Sequence, residues 1–528
     1  MSRSLTNNFS LQYAIEDSLG VLPGSPEWNI LEPNGINTYG ANISTVARNP
    51  ISKFRQRRKG TITDLDSSVE FEGDLTFSHL TDFIEGFAFS TAVNSDTVFK
   101  GVDVELTTDD GYVIPSATAA QAAKFQYGAV TGPFSLVYAR GYVNAANNGI
   151  KELDVDLAST DLKIAVEGTL VAETAPTNAE VALAGIRAET GDLALAVASG
   201  VGTLTSGNGT PANAIDFTTL GLTVGQMIHV GGLTSTNQFG STAAADGTRS
   251  LGYGRVTSIA AGTLLLDKLS TLLVASDGTD DGSAGTEVEV DLLFGRFIRN
   301  VAVDDAEFLE RTFQFEGAYA DLDSVGVDEY EYAIGNLCNA VSFSLPLTDK
   351  AGATFGFVGQ DTETPTTTRK TNGANGITPG QTAALNTSSD LARLRIAQVD
   401  ETVITSDFKS LTFTINNNVT PEKVLGFLGS RFINAGNLEI DIEAQVLFSD
   451  NAITTAIRNN ETLSMDFILT GDDGGLAVDI PSMTLGGGDR EFPVNESILA
   501  NLQGEAFGDA TLDTSFGVSL FPTIPQSA

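Results

Sequence analysis

Leu438-Glu-Ile-Asp-Ile-Glu-Ala-Gln-Val-Leu-Phe448 alternates apolar and polar residues at period two. A helix would scatter these side chains around its axis. A pleated strand puts Ile440, Ile442, Ala444 and Val446 on one face and Glu439, Asp441 and Glu443 on the other. Two more stretches read the same way, Val69-Glu-Phe-Glu-Gly-Asp-Leu-Thr-Phe77 and Leu411-Thr-Phe-Thr-Ile415. With 54 glycines and abundant Ser and Thr between such segments, the fold class is mainly β.

Outward from these strands, helical text is scarce. Ser78-His-Leu-Thr-Asp-Phe-Ile-Glu-Gly-Phe87 places Leu80, Phe83, Ile84 and Phe87 on one helix face, with Ser78 able to cap its start. A second short helix is expected over 451–459, with Ile453, Ala456 and Ile457 inward and Ser449 or Asp450 as cap. Helices this short are marginal alone, so both should lie on a sheet.

The 528 residues carry 67 Asp+Glu against 29 Lys+Arg, a net charge of −38. An apolar content of 41% excludes a disordered acidic tail. A surface of this sign repels phosphates, which argues against sequence-specific DNA binding but not against a protein past which DNA slides. Cys338 is the single cysteine, so no intramolecular disulfide forms. His79 and His229 are the only histidines, too few for a three-His zinc site. The N-terminus lacks the apolar core of a signal peptide, and no apolar run reaches the ~18 residues of a membrane span. The chain is expected to be soluble, made in the cytosol and not inserted in a membrane.

Catalytic signatures are missing. There is no phosphate loop, no Gly-x-Ser-x-Gly elbow and no His-Glu-x-x-His. Cys338 sits in the alternation Cys338-Asn-Ala-Val-Ser-Phe-Ser-Leu345 and reads as a buried structural thiol. His79 and His229 read as surface or packing residues. Asp277-Gly-Thr-Asp-Asp-Gly282 resembles the start of a calcium loop, but Thr279 and Val288 stand where ligands belong, so it reads as a turn. No enzyme activity, metal or cofactor is expected.

Two charge features remain. Lys53-Phe-Arg-Gln-Arg-Arg-Lys59 concentrates Lys53, Arg55, Arg57, Arg58 and Lys59 in one run. Contact with the acidic surface of a second subunit fits this run better than a solvated loop, and a nucleic-acid patch fits least in so acidic a chain. The second feature is a recurring acid face. Glu70/Glu72/Asp74, Asp103/Glu105, Glu287/Glu289/Asp291 and Glu439/Asp441/Glu443 each place carboxylates at i, i+2. Mixed charges would serve solubility with less cross-strand repulsion, so these faces read as surfaces built to repel a polyanion.

From about 115 to about 290 aromatics thin out and Ala, Gly, Ser and Thr rise. A weak duplication runs through this region. Val137-Tyr-Ala-Arg-Gly141, Asn148-Gly149, Leu162-Lys-Ile164 and Glu180-Val-Ala-Leu-Ala-Gly-Ile-Arg187 are echoed by Ile228-His-Val-Gly-Gly232, Asp246-Gly247, Leu264-Leu-Leu266 and Glu289-Val-Asp-Leu-Leu-Phe-Gly-Arg296. The reading is two small related β modules with hairpin turns at the Asn-Gly and Asp-Gly pairs. The Thr/Gly/Asn-rich stretch 362–389 reads as a long exposed loop, and 522–528 as a short extended end.

The flanks of this region resemble the major tail tube protein of long, non-contractile-tailed (siphovirus-type) bacteriophages. Tyr13-Ala-Ile-Glu-Asp-Ser-Leu-Gly-Val-Leu-Pro-Gly-Ser-Pro-Glu-Trp28 is similar to that family's opening, and 69–89 to its next strand and helix. Arg299-Asn-Val, Leu309-Glu-Arg-Thr-Phe-Gln-Phe-Glu316, Leu411-Thr-Phe-Thr-Ile-Asn-Asn-Asn418, Val424-Leu-Gly-Phe427 and Leu476-Ala-Val-Asp-Ile-Pro481 follow in order. The resemblance implies a β-sandwich or barrel with a short flanking α-helix, split into 1–114 and 293–528. The β-rich modules of 115–292 are inserted on its outer wall. It also implies six subunits to a ring, rings stacked into a hollow tube, and DNA passing through during ejection. Glu70, Glu72, Asp74, Glu287, Glu289, Asp291, Glu439, Asp441 and Glu443 become candidates to face the lumen, and Lys53, Arg55, Arg57, Arg58 and Lys59 a candidate inter-ring loop. The implied partners are the protein itself, the tape measure, tail-tip and terminator proteins, and viral DNA as passing cargo. The implied location is the virion tail, with assembly in the host cytoplasm. The rival readings are an extracellular adhesin or carbohydrate-binding protein, which should display aromatic platforms, and a glycan-cleaving enzyme using paired carboxylates. The inserted modules are poor in Trp and Tyr, and the single Trp is Trp28.

Overall fold

The strand Glu439–Leu447 buries its Ile, Ala and Val side chains and exposes its acids, as its alternation demands. It lies between Phe408–Asn416 and Leu499–Ala506, both antiparallel to it. The computed structural model describes residues 5–51, 53–77, 80–107, 111–115, 118, 121, 124–125, 133–154, 162–166, 170–189, 191–207, 214–240, 249–275, 289–324, 326–379, 382–449 and 451–525. Within these the main body is a two-layer β structure with a third layer laid against it.

The first layer runs, in spatial order, Gly35–Arg48, Arg58–Asp74, Gly352–Gly359, the C-terminal half of Val327–Pro346, Phe408–Asn416, Glu439–Leu447, Leu499–Ala506 and the C-terminal half of Gly474–Glu491, all antiparallel. The second layer contains Leu391–Gln398, Leu463–Gly471, the N-terminal half of Gly474–Glu491, Gly517–Phe521 and Arg296–Arg299. The long strand Gly474–Glu491 therefore bends from one layer into the other. Between the layers Phe413 meets Phe467 at 6.5 Å, and Ile442, Val446, Met465, Val478 and Leu520 share the same buried core.

The helix Leu80–Ala88 closes one end of this core with Phe83, Ile84 and Phe87. Ser78 and His79, read as cap and surface residue, lie outside the described residues. Phe83 packs among Phe71, Phe313, Phe355 and Phe357 at ring-centroid distances of 5.1–5.8 Å. Gly86 lets the helix approach Cys338, because a Cβ there would stand 2.6 Å from the Cys338 sulfur and 3.0 Å from Phe313. Gly86→Ala should therefore destabilise the fold by roughly 1–3 kcal/mol through overpacking, although alanine is the better helix former. Urea titration of the purified variant checks this, and an unchanged midpoint would contradict the packing. Cys338 is fully buried, and burial pushes its thiol pKa up, as befits a structural cysteine.

The second helix is Ala452–Asn459, with Ile453 and Ala456 buried. Asn451 takes its cap position without a side-chain bond, and Asp450, one of the two expected caps, lies outside the described residues. The stretch 362–389 is less exposed than its composition suggests. Gly373 and Leu385 are buried, Trp28 donates to the Thr371 carbonyl at 3.1 Å, and Arg369 pairs with the fully buried Glu316 at 2.6 Å. The end is likewise packed, with Ile524 in a small buried cluster.

The third layer is a separate sheet that also draws in residues ahead of 115, through Val98–Lys100, Glu105–Thr107 and Gly111–Ile114. At its centre Glu180–Ala188 and Val290–Leu293 pair with each other. Phe134–Arg140 flanks the first of these and Met227–Val230 the second. Each flanking strand leads, through a left-handed glycine (Gly141 or Gly231), into a 3₁₀ turn, Ala145–Asn147 or Ser235–Asn237. The two stretches that echo each other in sequence thus adopt the same local sequence of elements. Asp246-Gly247 and the acidic turn 277–282 fall outside the described residues.

His229 is wholly buried here, edge-on to Tyr253, with Nδ1 2.9 Å from the Gly231 carbonyl. Burial lowers its pKa from 6.5 to about 4, against a smaller upward pull from that hydrogen bond. Below pH 6.5 the unfolded chain takes up a proton that the folded protein refuses until about pH 4. Stability therefore falls by roughly 3 kcal/mol as pH drops through this window, and levels off below it. Urea titrations at several pH values should show a smaller loss for His229→Gln than for the native protein; equal losses would contradict the assignment.

Candidate functional site

The third layer rests on the second, away from the first. Along Leu463–Gly471, Leu463, Met465, Phe467 and Leu469 enter the main core. Asp466 and Ile468 turn the other way: Ile468 packs with Met227 and Tyr253 of the third layer, and Asp466 lies 3.9 Å from Lys268. The outer face of the first layer is left uncovered by this arrangement, and its character follows from strand register.

Glu72, Thr354, Ser342, Thr414, Asp441 and Glu505 lie in one cross-strand row. Asp74, Gly352, Ser344, Thr412, Glu443 and Gln503 form the next, and Glu70, Gly356, Ala340, Asn416 and Glu439 a third. Two acid columns, Glu70/Glu72/Asp74 and Glu439/Asp441/Glu443, therefore share one face, separated by a band of Ser, Thr, Gly, Ala and Asn. Four strand spacings put them roughly 19 Å apart. Asp441 faces Glu505 directly, a like-charge pair that costs stability in a free subunit. Glu505 belongs to this face, and the alternation of Leu499-Ala-Asn-Leu-Gln-Gly-Glu505 was its signal in the sequence.

The third acid group does not join them. Asp291 is 1% exposed in the inserted sheet, where Arg187 donates to both its oxygens at 2.6 and 3.0 Å. Burial raises its pKa, and Arg187 offsets part of the rise. Its reading as a lumen candidate is corrected: period two identified the strand, but the opposing face is covered too. Glu289 lies beside Arg187 in the same sheet, and Glu287 lies outside the described residues. Asp103 and Glu105 are exposed, but on elements of the third layer.

The basic run sits at the tip of an arm. Gly35–Arg48 and Arg58–Asp74 pair along their whole length, whereas only 67–74 of the second strand pairs onward with Gly352–Gly359. The remainder, 41–48 with 58–66, projects as a two-stranded ribbon largely exposed on both faces. Lys53, Arg55, Arg57, Arg58 and Lys59 are exposed at its end and form no ion pair among the described residues. Ile43, Val46, Ile51, Phe54 and Ile62 are also exposed on the arm, with Ile51 entirely so. A short hairpin, Thr420–Glu422 with Phe432–Asn434, stands beside its base. Lys423 joins the two, its Nζ 2.5 Å from both Asp64 and Asp66. This hairpin exposes Val424, Leu425, Phe427, Leu428 and Phe432, an apolar patch of the kind that marks interaction surfaces. At the opposite end of the same sheet Asp349, Asp407, Glu491 and Glu496 are exposed around Phe492 and Val494.

Both lateral edges of the first layer are open. Gly35–Arg48 pairs only with Arg58–Asp74, and Thr484–Glu491 only with Leu499–Ala506, among the described residues. Groups of three or more His, Cys, Asp or Glu able to hold a metal ion are absent among the described residues. No helix of the described residues is long and apolar enough to cross a membrane.

Comparison with known proteins gives one family match. A family model described as "Phage tail tube protein" matches residues 262–506, from the edge of the inserted sheet through the acid-bearing strands. No curated protein matches the chain. The similarity supports a structural tail tube protein.

Proposed function

We propose that this protein polymerises as stacked rings, six subunits to a ring, into the hollow tail tube of a long non-contractile-tailed phage. The observation that carries the reading is the uncovered first layer, with acids aligned on its outer face and both edges unpaired. Exposed strand edges invite pairing with another chain, and a heterologous contact that closes makes a ring without leaving edges. Joining Gly35–Arg48 of one subunit to Thr484–Glu491 of the next would continue the acid face around a lumen. The acid columns then repel DNA phosphates along the channel wall, so the genome passes without adhering. The inserted sheet, on the far side of the second layer, occupies the outer wall. Stacking uses the arm: its cations meet the Asp349, Asp407, Glu491 and Glu496 rim of the next ring, and its apolar residues meet Phe492 and Val494. Tape measure, terminator and tail-tip proteins are the further partners, DNA is cargo, and assembly takes place in the host cytoplasm.

An adhesin is the weaker reading. Large apolar residues exposed in the inserted region are Val143, Val171, Val201, Leu233 and Leu272, all aliphatic, among the described residues. Negative-stain microscopy of the purified protein, with and without tail-tip components, tests the proposal. Hollow tubes about ten nanometres wide are expected from stacked sheet layers around a channel. A protein that stays monomeric under both conditions would overturn it.

A further inference from the structure

A cleft of about 360 Å³ lies along the seam between the inserted sheet and the main body. Its cations are Lys100, Arg140 and Arg296, an uncommon concentration in a chain with 29 basic residues. Two of them are already engaged. Lys100 pairs with Glu27. Arg140 donates to Glu180 at 3.1 Å and to the Asp473 carbonyl at 2.8 Å. Arg296 donates no hydrogen bond and makes no ion pair among the described residues, although Glu180 and Glu85 lie close enough to feel its charge, and its strand Arg296–Arg299 holds its backbone in the sheet. A half-buried guanidinium with its donors unspent is a ready partner for a carboxylate or phosphate, which it can grip with two parallel bonds. The carboxylates lining the same cleft, Asp82, Glu180 and Asp473, keep lone pairs free to accept from hydroxyls. Phe77 and Pro379 give the cleft an apolar wall against which the C–H face of a ring can lie.

We propose that this cleft binds an anionic polyol, a sugar or sugar alcohol carrying one carboxylate or phosphate, with the anion on Arg296 and hydroxyls on the neighbouring acids. A lone anion would leave the acids unused and meet their repulsion; a neutral sugar would leave the Arg296 donors without a charged acceptor. Both halves of the ligand are therefore required. The site is complete within one subunit and does not depend on tube assembly. Its position beside the inserted sheet, away from the acid face, gives the subunit a means of contacting carboxylated or phosphorylated glycans.

Isothermal titration of the full-length protein with glucuronate and with glycerol 3-phosphate tests this, with glucose and acetate as the two half-ligands. At least one anionic polyol should bind at least tenfold tighter than either half-ligand, and which one binds identifies the source of the anion. Arg296→Gln should weaken that binding tenfold or more. Thr378→Glu, at an exposed lining position, should do the same by placing a competing carboxylate in the cleft without disturbing the core; it decides the matter if Arg296→Gln fails to fold. Arg490→Gln, outside the cleft, should leave binding unchanged. No binding of either polyol to the native protein, equal binding of acetate or glucose, or affinity that survives Thr378→Glu would overturn the proposal.

Discussion

Replacing Arg55, Arg57 and Arg58 together by Glu should leave a folded subunit that cannot stack. All three side chains are exposed at the arm tip and make no ion pair among the described residues, so nothing in the subunit is lost with them. Substitutions of this kind usually shift stability by less than about 0.5 kcal/mol. Arg55 has φ 53°, a left-handed conformation that Glu bears no worse than Arg. The assembled state is different. Three positive charges become negative where they would meet Asp349, Asp407, Glu491 and Glu496, and like charges brought together across an interface cost several kcal/mol. Repeated around a ring, that cost abolishes polymerisation. Sedimentation and negative staining should show soluble subunits or single rings with a native melting temperature. Tubes of native length would show that the arm tip is not the stacking contact.

Asp479→Ala should produce the largest loss of stability, roughly 3–5 kcal/mol, because it takes the nearest anion from buried Lys268 and leaves Arg255 with Asp267 alone. Asp479 accepts from Lys268 at 2.6 Å and from Arg255 at 2.9 Å, both on the inserted sheet, and Lys268 is 1% exposed. Asp466, fully buried on the adjacent strand, accepts from Arg395 at 2.9 Å and pairs with Arg393, whose Nη1 donates to the Lys268 carbonyl at 2.8 Å. The network balances its charges only with both layers present. Burial alone would raise the Asp479 pKa, but Lys268 and Arg255 outweigh it and hold it at about 2. Its contribution is full above the ordinary value of 3.8 and is lost as pH falls through about 2. Lys423→Ala, which breaks an exposed pair, is the contrast and should cost no more than about 1 kcal/mol. Denaturant titration of both variants distinguishes the cases; equal small losses would show that the inserted sheet is not anchored through Asp479.

The strands were legible because one face of each meets water. Glu439–Leu447 and the Glu70–Asp74 segment announce their pleat and their acid faces through period two alone, and the strand register then joins them into one surface. The same rule misled at Asp291, where a carboxylate at an alternating position is paired to Arg187 under a second covered face. Asp466 and Asp479 went unread for a related reason. The strand Leu463–Gly471 alternates Leu463, Met465, Phe467 and Leu469 with Ser464, Asp466 and Thr470, which reads as one wet face, yet both faces are buried, so its acid needs a cation from elsewhere. Arg393 and Arg395 supply it to Asp466 from the neighbouring strand, and Lys268 and Arg255 supply it to Asp479 from more than 200 positions away in sequence, a separation that no local pattern encodes. The basic run was visible as composition, but its projection on an arm comes from the strand Arg58–Asp74 outrunning its partner Gly352–Gly359. The apolar residues of the 423–432 turn were legible as text without showing that they are left exposed.

Most direct is an electron cryomicroscopy map of the assembled particle that resolves side chains in the first layer. A closed ring is expected, in which Glu70, Glu72, Glu439, Asp441, Glu443 and Glu505 line the channel and the inserted sheet lies outside. A map with these acids on the exterior, or with the inserted sheet facing the lumen, would contradict it.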